Sequence, residues 1–543
     1  MGNNHQPNII FLCDLTSVIP MEKTLGPYKV AHQLRTAGFE VTVVHHLSVF
    51  TMEEIEHLLV NVVNDKTLFV GVNNFFYKNT ELLDINDDGS LSLTHNDHGS
   101  ILPHGSKYNT KIKNLIKTIN PNCKLVVGGP NAADIEYNKI FDYVILGYSE
   151  ISIVNLAQHL FSNDPLNKSR KSVYGFTIID DSLAPEYDFT NNCMRYEDHD
   201  GILPGETLTL EIARGCIFKC AFCGYPMNGK KKLDFIRSQE SLYNEIINNY
   251  ERFGTTRYVI IDDTLNDSPE KCEALYNLSK KLPFQMEWWA YLRLDLLVAH
   301  TKTIDMLWQS GMRSAFYGIE TLNSKTGSII GKGGNRDKLI KTIEMIKSRY
   351  GNEISQHGSF IYGLPHESRQ SLQQTTEWLL DDDNPLDSWQ CLALMIRDPS
   401  ILSRNNGFVS DIDRNWKKYG YRDSGKRLDK YFKEGVVIWE NDHFDFTEVV
   451  EWVSEIEEKG RRNNNLLPGR LSIAMSGLGV PLSSIHNKPF SEIDWHTLDQ
   501  LKLAKANEYK EKIFRALNVP PLQIVPELKK TFSEFLTSQI RSR

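Results

Sequence analysis

The chain has 543 residues, of which 41% are hydrophobic and 24% charged, as in an ordinary globular protein that can bury a sizeable core. At a typical size of roughly 150 residues per domain, this length suggests about three or four domains. The net charge of −8 disfavours nucleic acid and anionic membranes as partners. Residues 1–7 are polar, and no segment reaches the roughly 18 consecutive apolar residues that span a bilayer. We therefore expect a soluble cytoplasmic protein.

Strand and helix patterns alternate over residues 1–160. Strands are predicted at 8–13, 40–45, 67–72, 124–127 and 143–146, and a helix over 27–37 should end at Gly38. This alternation predicts an α/β domain with a parallel, doubly wound sheet, whose ligands bind at the carboxyl ends of the strands. Gly128, Gly129 and Gly147 lie at those ends, where glycine lets a ligand approach the backbone. Residues 77–108 are polar and are interpreted as an insertion or mobile loop.

A second alternating series begins after residues 161–206, an irregular polar segment that we interpret as a linker. Its predicted strands are 208–213, 257–261, 286–291, 315–319, 358–362 and 389–394, with helices such as 238–252 and 269–281 between them. Six β/α units predict a partial or full parallel barrel over 207–400, with its chemistry on the loops after the strands. Residues 401–543 are charged and contain long helical stretches, which predicts a mainly helical C-terminal domain.

Three of the eight cysteines fall within eight positions, in Cys216-Ile-Phe-Lys-Cys220-Ala-Phe-Cys223 directly after the first barrel strand. This spacing is not a disulfide framework, and in a reducing compartment it indicates metal binding or catalysis. Three thiolates on one tight loop can each bind one iron of a cubane cluster. The fourth iron is then open to a small molecule, to which the cluster can pass an electron.

Two other kinds of metal site match this loop less well. A structural zinc site needs four ligands, usually from two paired motifs, and neither a second Cys-x-x-Cys nor a close histidine is present. A closed ferredoxin-type cluster needs a fourth cysteine. The remaining cysteines are scattered singly, at Cys13, Cys123, Cys193, Cys272 and Cys391. Both alternatives are therefore disfavoured.

The cysteine spacing, with the aromatic Phe222 before the last cysteine, resembles the signature of the radical S-adenosylmethionine (SAM) superfamily. The resemblance extends over roughly residues 205–400. It is supported by Arg237-Ser-x-Glu-Ser-x-x-x-Glu245, Ile261-Asp-Asp-Thr264, Tyr317-Gly-Ile-Glu-Thr321 and Phe360-Ile-Tyr-Gly363-Leu-Pro-His366-Glu367. Thr321 stands where the family has serine, and His366 where it has glycine.

The resemblance implies a 4Fe–4S cluster on Cys216, Cys220 and Cys223. Its open iron would be chelated by SAM, which the reduced cluster cleaves to a 5′-deoxyadenosyl radical. Strand-end residues would hold the rest of SAM. Asp262 and Asp263 could pair with the methionyl ammonium or ribose hydroxyls, and Arg293 with the carboxylate. Glu320 could hold the ribose or amine, and Ser359 could donate a hydrogen bond. The alternative for each is a solvent-facing residue on the barrel rim.

Residues 8–160 resemble the cobalamin-binding domain that precedes the barrel in one large radical SAM subfamily. The matching segments are Leu25-Gly-Pro-Tyr-x-x-Ala31-x-x-Leu-Arg35-x-x-Gly38, Val126-Val-Gly-Gly-Pro130 and Asp142-Tyr-Val-Ile-Leu-Gly147-x-x-Glu150. The resemblance implies a corrin at the strand ends marked by Gly128, Gly129 and Gly147. No Asp-x-His-x-x-Gly supplies a lower cobalt ligand, and His45, His46 and His98 are interpreted as surface or core histidines. The alternative is a degenerate sheet that only packs against the barrel.

Three hypotheses follow. The first is a cobalamin-dependent radical SAM methyltransferase, and the second is a radical SAM enzyme of another reaction type. The third is a non-catalytic iron–sulfur electron-transfer or binding module, which the full set of barrel elements disfavours. The expected partners are a small-molecule or peptide substrate and an electron donor such as a flavodoxin or ferredoxin.

Overall fold

Strands and helices alternate along the chain in the computed structural model, which describes residues 7–13, 22–73, 106–129, 132, 140–180, 187–225, 227–398, 409–426, 436–462, 495–520 and 522. The chain divides into two units. The first comprises Met1–Leu208, Asn244–Thr255 and His496–Arg543, and the second Thr209–Tyr243 and Thr256–Trp495. Residues 77–105 of the predicted insertion, with His98 and Pro130, lie outside the described residues.

The first unit contains a seven-stranded sheet of order β2-β1-β3-β4-β5-β7-β6, parallel except for β6 at one edge. Its strands are β1 Asn8–Leu12, β2 Glu40–Val44, β3 Thr67–Asn73, β4 Lys124–Gly128, β5 Tyr143–Leu146, β6 Ser169–Lys171 and β7 Thr177–Asp180. Its helices are Leu25–Thr36, Met52–Val62, Ser106–Ile119, Glu150–Ser162 and almost all of Trp495–Ala516. The predicted parallel, doubly wound sheet is confirmed.

Local sequence signals explain where two of these helices begin and end. The helix Met52–Val62 starts with a capping box, because the Thr51 hydroxyl accepts the Glu54 N–H and the Glu54 carboxylate accepts the Thr51 N–H. The helix Leu25–Thr36 stops at Gly38, whose φ of +92° is accessible to glycine without strain. The predicted stop at Gly38 is therefore confirmed.

The segment 161–206 is not a linker throughout, because two of its stretches extend the sheet. β7 pairs in parallel with β5, and β6 pairs antiparallel with β7. β6 is Ser-Arg-Lys, and all three residues are exposed on this edge. Since all three are polar, β6 lacks the apolar alternation by which a strand is found in a sequence.

The second unit contains a six-stranded sheet of order β13-β12-β11-β10-β9-β8. Its strands are β8 Leu208–Leu210, β9 Arg257–Ile260, β10 Glu287–Leu292, β11 Met312–Glu320, β12 Ser355–Tyr362 and β13 Ser388–Ala393. The pairs from β9 to β13 are parallel. The helices between them are Pro269–Ser279, Leu294–Ala299, Lys302–Gln309, Ser324–Ile330, Arg336–Tyr350 and Arg369–Leu379. The helix Gln239–Phe253 follows β8, and its residues from Asn244 onward belong to the first unit. The predicted run of six β/α units, and with it the partial barrel, is confirmed.

Residues 401–543 do not form one helical domain among the residues described. The short helix Asp411–Asn415 and the helix Phe446–Arg462 belong to the second unit, with the short strands β14 Ile396–Arg397, β15 Arg422–Asp423, β16 Val436–Val437 and β17 Trp439–Glu440. From His496 onward the helix Trp495–Ala516 belongs to the first unit, where it buries Tyr509 and Ile513. An amphipathic pattern predicts that a helix has an apolar face, but not which surface covers it.

None of the helices in the described parts of the chain is long and apolar enough to cross a membrane.

Candidate active site

The three cysteines lie on a loop that follows β8 and closes on itself. The Cys216 N–H donates to the Met227 carbonyl over 3.3 Å, and the Gly229 N–H donates to the Cys216 carbonyl over 2.7 Å. Gly215, with φ of +78°, makes this closure possible, since a Cβ there would lie 2.6 Å from the Cβ of Met227. Backbone geometry thus holds the cysteines on one compact turn.

Each of the three sulfurs has a polar neighbour from within the second unit. Cys216 Sγ lies 3.4 Å from Thr264 Oγ1, Arg293 Nη1 donates to Cys220 Sγ over 3.1 Å, and Asn228 Nδ2 donates to Cys223 Sγ over 3.1 Å. N–H donors aimed at sulfur stabilise the thiolate over the thiol. Burial raises the pKa of both Cys220 and Cys223, and a metal binds such cysteines as thiolates. The donor set fits an iron–sulfur cluster.

Among the described side chains, no three of His, Cys, Asp or Glu converge on a point where one metal ion could bind. A cubane cluster does not require such convergence, because each of its three thiolates binds a different iron. A zinc ion does require such convergence, because all of its ligands bind the same ion.

Arg293 lies beside the cysteine loop, but its partners differ from the predicted one. Its Nε and Nη2 bind the carboxylate of Asp295 over 3.1 and 2.7 Å, and Nη2 also donates to the Gly331 carbonyl over 3.1 Å. The guanidinium carbon lies 3.9 Å from the centre of the Phe218 ring. Arginine's planar fork suits a carboxylate, and Asp295 supplies one here. The predicted role of Arg293 on the methionyl carboxylate stays a prediction.

Asp262 is also occupied by the protein itself. The buried carboxylate accepts the N–H groups of Ile212 and Ala213 over 2.8 and 3.0 Å, and it pairs with buried Lys271 over 3.0 Å. Since Ile212 and Ala213 lead directly into the cysteine loop, Asp262 anchors that loop to the end of β9. These partners contact both carboxylate oxygens, and the predicted contact of Asp262 with SAM stays a prediction.

Asp263 lies next to this anchor and is half-buried. Burial, then the charges of Asp262 and Glu211, raise its pKa to about 6. It also accepts the N–H of Gly215, immediately before the first cysteine. Its predicted role in SAM binding stays a prediction, now placed at the cysteine loop.

Glu320 lies at the carboxyl end of β11, and Ser359 lies within β12, in register with Gly318 of β11. Glu320 ends β11 at a register shift with φ of +67°, and its carboxylate lies 3.5 Å from Lys332 Nζ. Such a backbone conformation is strained for a residue other than glycine and is typical of functional sites. Ser359 accepts a hydrogen bond from Gln390 Nε2 over 3.1 Å. Their roles in holding SAM stay predictions.

Four residues at this site had no role predicted from the sequence: Thr264, which was quoted only as part of a motif, and Asn228, Asp295 and Lys332. Lys332 Nζ donates to the Gly318 carbonyl over 2.7 Å, and it lies in the segment Gly331-Lys-Gly-Gly334 after the helix Ser324–Ile330. That glycine-rich turn is the one local signal that could have indicated it.

The three glycines of the first unit lie where the sequence placed them. Gly128 ends β4, Gly129 follows with φ of +103°, and Gly147 follows the adjacent strand β5 with φ of +74°. His45 and His46, at the end of β2, are both buried. Burial lowers the pKa of each imidazole well below its usual value, so both are neutral core histidines, as one of the two interpretations had it.

Comparison with known families decides the assignment of the second unit. Residues 210–379 match the family described as the radical SAM superfamily. This segment of the chain is therefore a radical SAM domain.

Curated relatives of this radical SAM protein include methyltransferases. An uncharacterized methyltransferase of Pyrococcus horikoshii is 23% identical over 353 residues, which cover 60% of this chain and 72% of that protein. The bacteriochlorophyllide d C-12(1)-methyltransferase of Chlorobaculum tepidum is 22% identical over 200 residues, covering 36% of this chain and 41% of the relative.

Two solved structures share the fold of this radical SAM protein along nearly its whole length. The radical SAM methyltransferase TsrM of Kitasatospora setae, with cobalamin and a 4Fe–4S cluster bound, superposes with a TM-score of 0.59 and 13% identity, covering 93% of this chain and 100% of TsrM. The cobalamin-dependent SAM radical enzyme OxsB, with aqua-cobalamin bound, superposes with a TM-score of 0.55 and 12% identity, covering 99% of this chain and 75% of OxsB. At these identities the likeness shows the fold alone.

Proposed function

We propose that this radical SAM enzyme holds a 4Fe–4S cluster on Cys216, Cys220 and Cys223, cleaves SAM reductively, and transfers a methyl group with the help of cobalamin. The observation that carries the proposal is the pair of N–H donors, from Arg293 and Asn228, aimed at two of the three loop sulfurs. When bound, the cluster would supply the electron that breaks the C–S bond of SAM.

The chain's own residues would position and tune the cysteine loop. Asp262 fixes the two residues before the loop, and Lys271 neutralises its charge inside the unit. Arg293 places positive charge against Cys220, and Asp295 fixes the plane of its guanidinium. These contacts hold the thiolates in place before the cofactors bind, which lowers the cost of ordering the site.

The carboxyl-terminal halves of β11 and β12 would bind the adenosyl end of SAM. Gly318 and Ser359 are in register on neighbouring strands, so a residue without a side chain lies beside a hydroxyl. A Cβ on Gly318 would lie 2.7 Å from Glu320 Oε1, so a side chain there would displace the carboxylate. Glu320 and Asp263 would accept hydrogen bonds from hydroxyl or ammonium groups of SAM.

The N-terminal sheet would bind cobalamin against Gly128, Gly129 and Gly147. A corrin is large and flat, and glycine at the strand ends lets it lie against the backbone. TsrM and OxsB have cobalamin bound on the shared fold, and two curated relatives are called methyltransferases. An electron donor such as a flavodoxin or ferredoxin would reduce the cluster, and the substrate would be a small molecule or peptide.

The test uses full-length protein reconstituted anaerobically with iron, sulfide and hydroxocobalamin. We expect about four irons per chain, a cobalamin spectrum that survives gel filtration, and 5′-deoxyadenosine or S-adenosylhomocysteine from SAM and a strong reductant. Cys220→Ala should lose the cluster and SAM cleavage, while Cys272→Ser, at a buried isolated cysteine, should keep both. A Cys220→Ala protein with full iron content and SAM cleavage contradicts the proposal. Retention of the cluster without cobalamin leaves a radical SAM enzyme of another reaction type.

A further inference from the structure

Backbone hydrogen bonds join the cysteine loop to two segments that are distant from it in the chain. The Ala221 N–H, in the middle of the loop, donates to the Ile330 carbonyl over 2.9 Å, and the Ala221 carbonyl accepts the Ile412 N–H over 2.9 Å. Ile330 ends the helix Ser324–Ile330, and Ile412 lies in the first turn of the helix Asp411–Asn415. All of these residues belong to the second unit. We call the segments that meet here the loop surface: residues 217–225, 227–235, 323–331 and 409–420.

The loop surface is basic, although the whole chain carries a net charge of −8. Its segments contain eight Lys and Arg residues, three Asp and no Glu. Three of the cations have acidic partners, in the pairs Lys230–Asp267, Lys232–Glu270 and Lys418–Asp411. In the part of the chain that the structure describes, five exposed cations have no such partner: Lys219, Lys231, Lys325, Arg414 and Lys417. Of the three aspartates, Asp411 is paired and Asp413 is buried, so Asp234 alone opposes these cations in solvent.

The unpaired cations lie close to the cysteines. The Lys219 side chain crosses the backbone just before the lysine run, since a Cβ on Gly229 would lie 1.9 Å from Lys219 Cε. Arg414 and Lys417 follow Ile412 by two and five residues, which is within roughly 10 Å along a helical path. At physiological salt, charges act mainly over about 8 Å. These cations therefore affect a partner that docks over the cysteine loop.

Two large apolar side chains lie exposed among these cations. Leu233 is 62% and Phe235 is 43% exposed. The Phe235 carbonyl accepts the Arg214 N–H over 3.0 Å, directly before the cysteine loop. Apolar contacts with a charged rim are the usual composition of a protein–protein interface. Because electron-transfer complexes have small interfaces, a surface of a few such residues is sufficient for one.

We propose that the loop surface docks an acidic electron-transfer protein, such as a flavodoxin, which reduces the cluster. The donor loses one electron and the cluster gains it, so no bond forms or breaks at this surface. The donor must come close to the cysteines, and the unpaired cations lie around the loop that carries them. Opposite charge on the donor speeds encounter and orients it, which offsets the repulsion from the acidic chain. The proposal rests on the proposed function, because it takes the cluster as the electron acceptor.

The experiment compares a protein donor with a chemical one on the anaerobically reconstituted protein. Isothermal titration calorimetry measures the binding of an acidic flavodoxin, and spectroscopy follows reduction of the cluster by reduced flavodoxin or by dithionite. We expect flavodoxin binding to weaken at least about ten-fold between about 50 and 500 mM salt, because salt screens the attraction between the two surfaces.

A pair of charge reversals assigns the binding to the loop surface. Arg414→Glu with Lys417→Glu should weaken flavodoxin binding at least about ten-fold and slow cluster reduction by flavodoxin. SAM cleavage driven by dithionite should stay unchanged in this double variant, because both side chains are exposed to solvent. Unchanged cleavage also shows that the variant is folded.

Lys280→Glu with Lys281→Glu is the matched control, since it changes the net charge by the same amount. Both lysines are exposed and follow the helix Pro269–Ser279, before β10 begins. They therefore lie toward the amino ends of the strands, whereas the cysteine loop contacts Arg293, after the carboxyl end of β10. The control should bind flavodoxin and accept its electron as the wild type does.

Three outcomes overturn the assignment of this surface. The first is an equal effect of the two double variants on flavodoxin binding, or no effect of either. The second is loss of dithionite-driven SAM cleavage in the Arg414 and Lys417 variant, which would mean that these residues support the cluster itself. The third is tight binding of poly-L-glutamate without binding of flavodoxin, which would assign the surface to an acidic peptide.

Dithionite separates this proposal from the proposed function. A wild-type protein that cleaves SAM with dithionite but takes no electron from flavodoxin refutes the donor surface and leaves the enzyme. A protein that holds no cluster and cleaves no SAM with dithionite refutes the proposed function, and the donor surface with it.

Discussion

Arg293 Nη1 donates a hydrogen bond to Cys220 Sγ over 3.1 Å, while Asp295 holds the other edge of the same guanidinium over 2.7 and 3.1 Å. A cation that is fixed in this way stabilises negative charge on the sulfur. It therefore stabilises the reduced form of a bound cluster more than the oxidised form, because reduction adds a negative charge.

Replacement of Arg293 by Gln should lower the reduction potential of the cluster. The amide of Gln carries no charge and cannot bind both Asp295 and the sulfur in the same geometry. The measurement is a redox titration of reconstituted protein followed by electron paramagnetic resonance. Arg369→Gln is the matched control, since Arg369 pairs with Glu448 in solvent, away from the cysteines. An unchanged reduction potential in Arg293→Gln contradicts the role of Arg293 in stabilising the reduced cluster.

Replacement of Asp262 by Asn should destabilise the protein and loosen the cysteine loop. Lys271 would keep Asp267, 3.3 Å away, but lose its nearer partner inside the unit. We expect the free energy of unfolding to fall by about 2–4 kcal/mol, measured by denaturant titration, with reduced iron content after reconstitution.

Asp263→Asn is the control for that variant. Burial and neighbouring carboxylates raise the pKa of Asp263, so loss of its charge should cost much less stability than the loss at Asp262. Equal destabilisation by the two variants would show that Asp262 is not a special anchor.

Glu367 should make stability depend on pH. It is buried, accepts the Thr321 hydroxyl over 2.9 Å, and burial raises its pKa from 4.5 to about 8. Between these values the native state keeps a proton that the unfolded chain has released, so stability falls as pH rises. The contribution of protonated Glu367 to the stability of the native state is complete below pH 4.5 and is lost as the pH rises through 8.

Glu367→Gln removes this titration. The free energy of unfolding of the wild type, relative to that of the variant, should decrease between pH 5 and pH 9 by an amount on the order of 3 kcal/mol. Denaturant titrations at several pH values provide the measurement. Curves for the two proteins that stay parallel over this range are incompatible with a buried, protonated Glu367.

Replacement of Gly129 by Leu should block cobalamin uptake and leave the iron–sulfur spectrum intact. Gly129 has φ of +103°, and a bulky side chain there would occupy the strand end where the corrin is proposed to lie. Gly175→Leu is a matched control, because Gly175 has φ of +94° in the same unit and open space around a Cβ. Equilibrium dialysis at cobalamin concentrations on the order of tens of micromolar measures uptake. Equal cobalamin uptake by both variants would contradict a cobalamin site at these strand ends.

The local parts of this protein were determined by the sequence itself. The cysteine spacing, the glycine stops and the alternation of strand and helix patterns depend on residues close together in the chain, whose periods follow directly from helix and strand geometry. That is why the six β/α units and the doubly wound sheet were predicted with nearly the observed boundaries. It is also why β6, a three-residue polar edge strand, was missed.

Only the tertiary structure decided what the charged residues bind. Arg293 and Asp262 were correctly placed at strand ends, but their partners, Cys220 and the Ile212 and Ala213 amides, are 73 and about 50 residues away in the chain. A strand-end carboxylate or guanidinium looks the same in a sequence whether a cofactor or the protein satisfies it. Once buried, it takes the nearest compatible partner, because an unpaired buried charge is costly.

In the first unit, too, the sequence does not reveal the partners of buried charged residues. Glu206 is fully buried between Lys23, 2.8 Å away, and Lys505, 3.3 Å away on the helix Trp495–Ala516. Burial lowers the pKa of Lys505 to about 8, although the carboxylate opposes this. The sequence predicted a long helical stretch here and assigned it to a separate C-terminal domain. A helix's period determines which of its faces is apolar, whereas shape and charge complementarity between distant segments determine where that face packs.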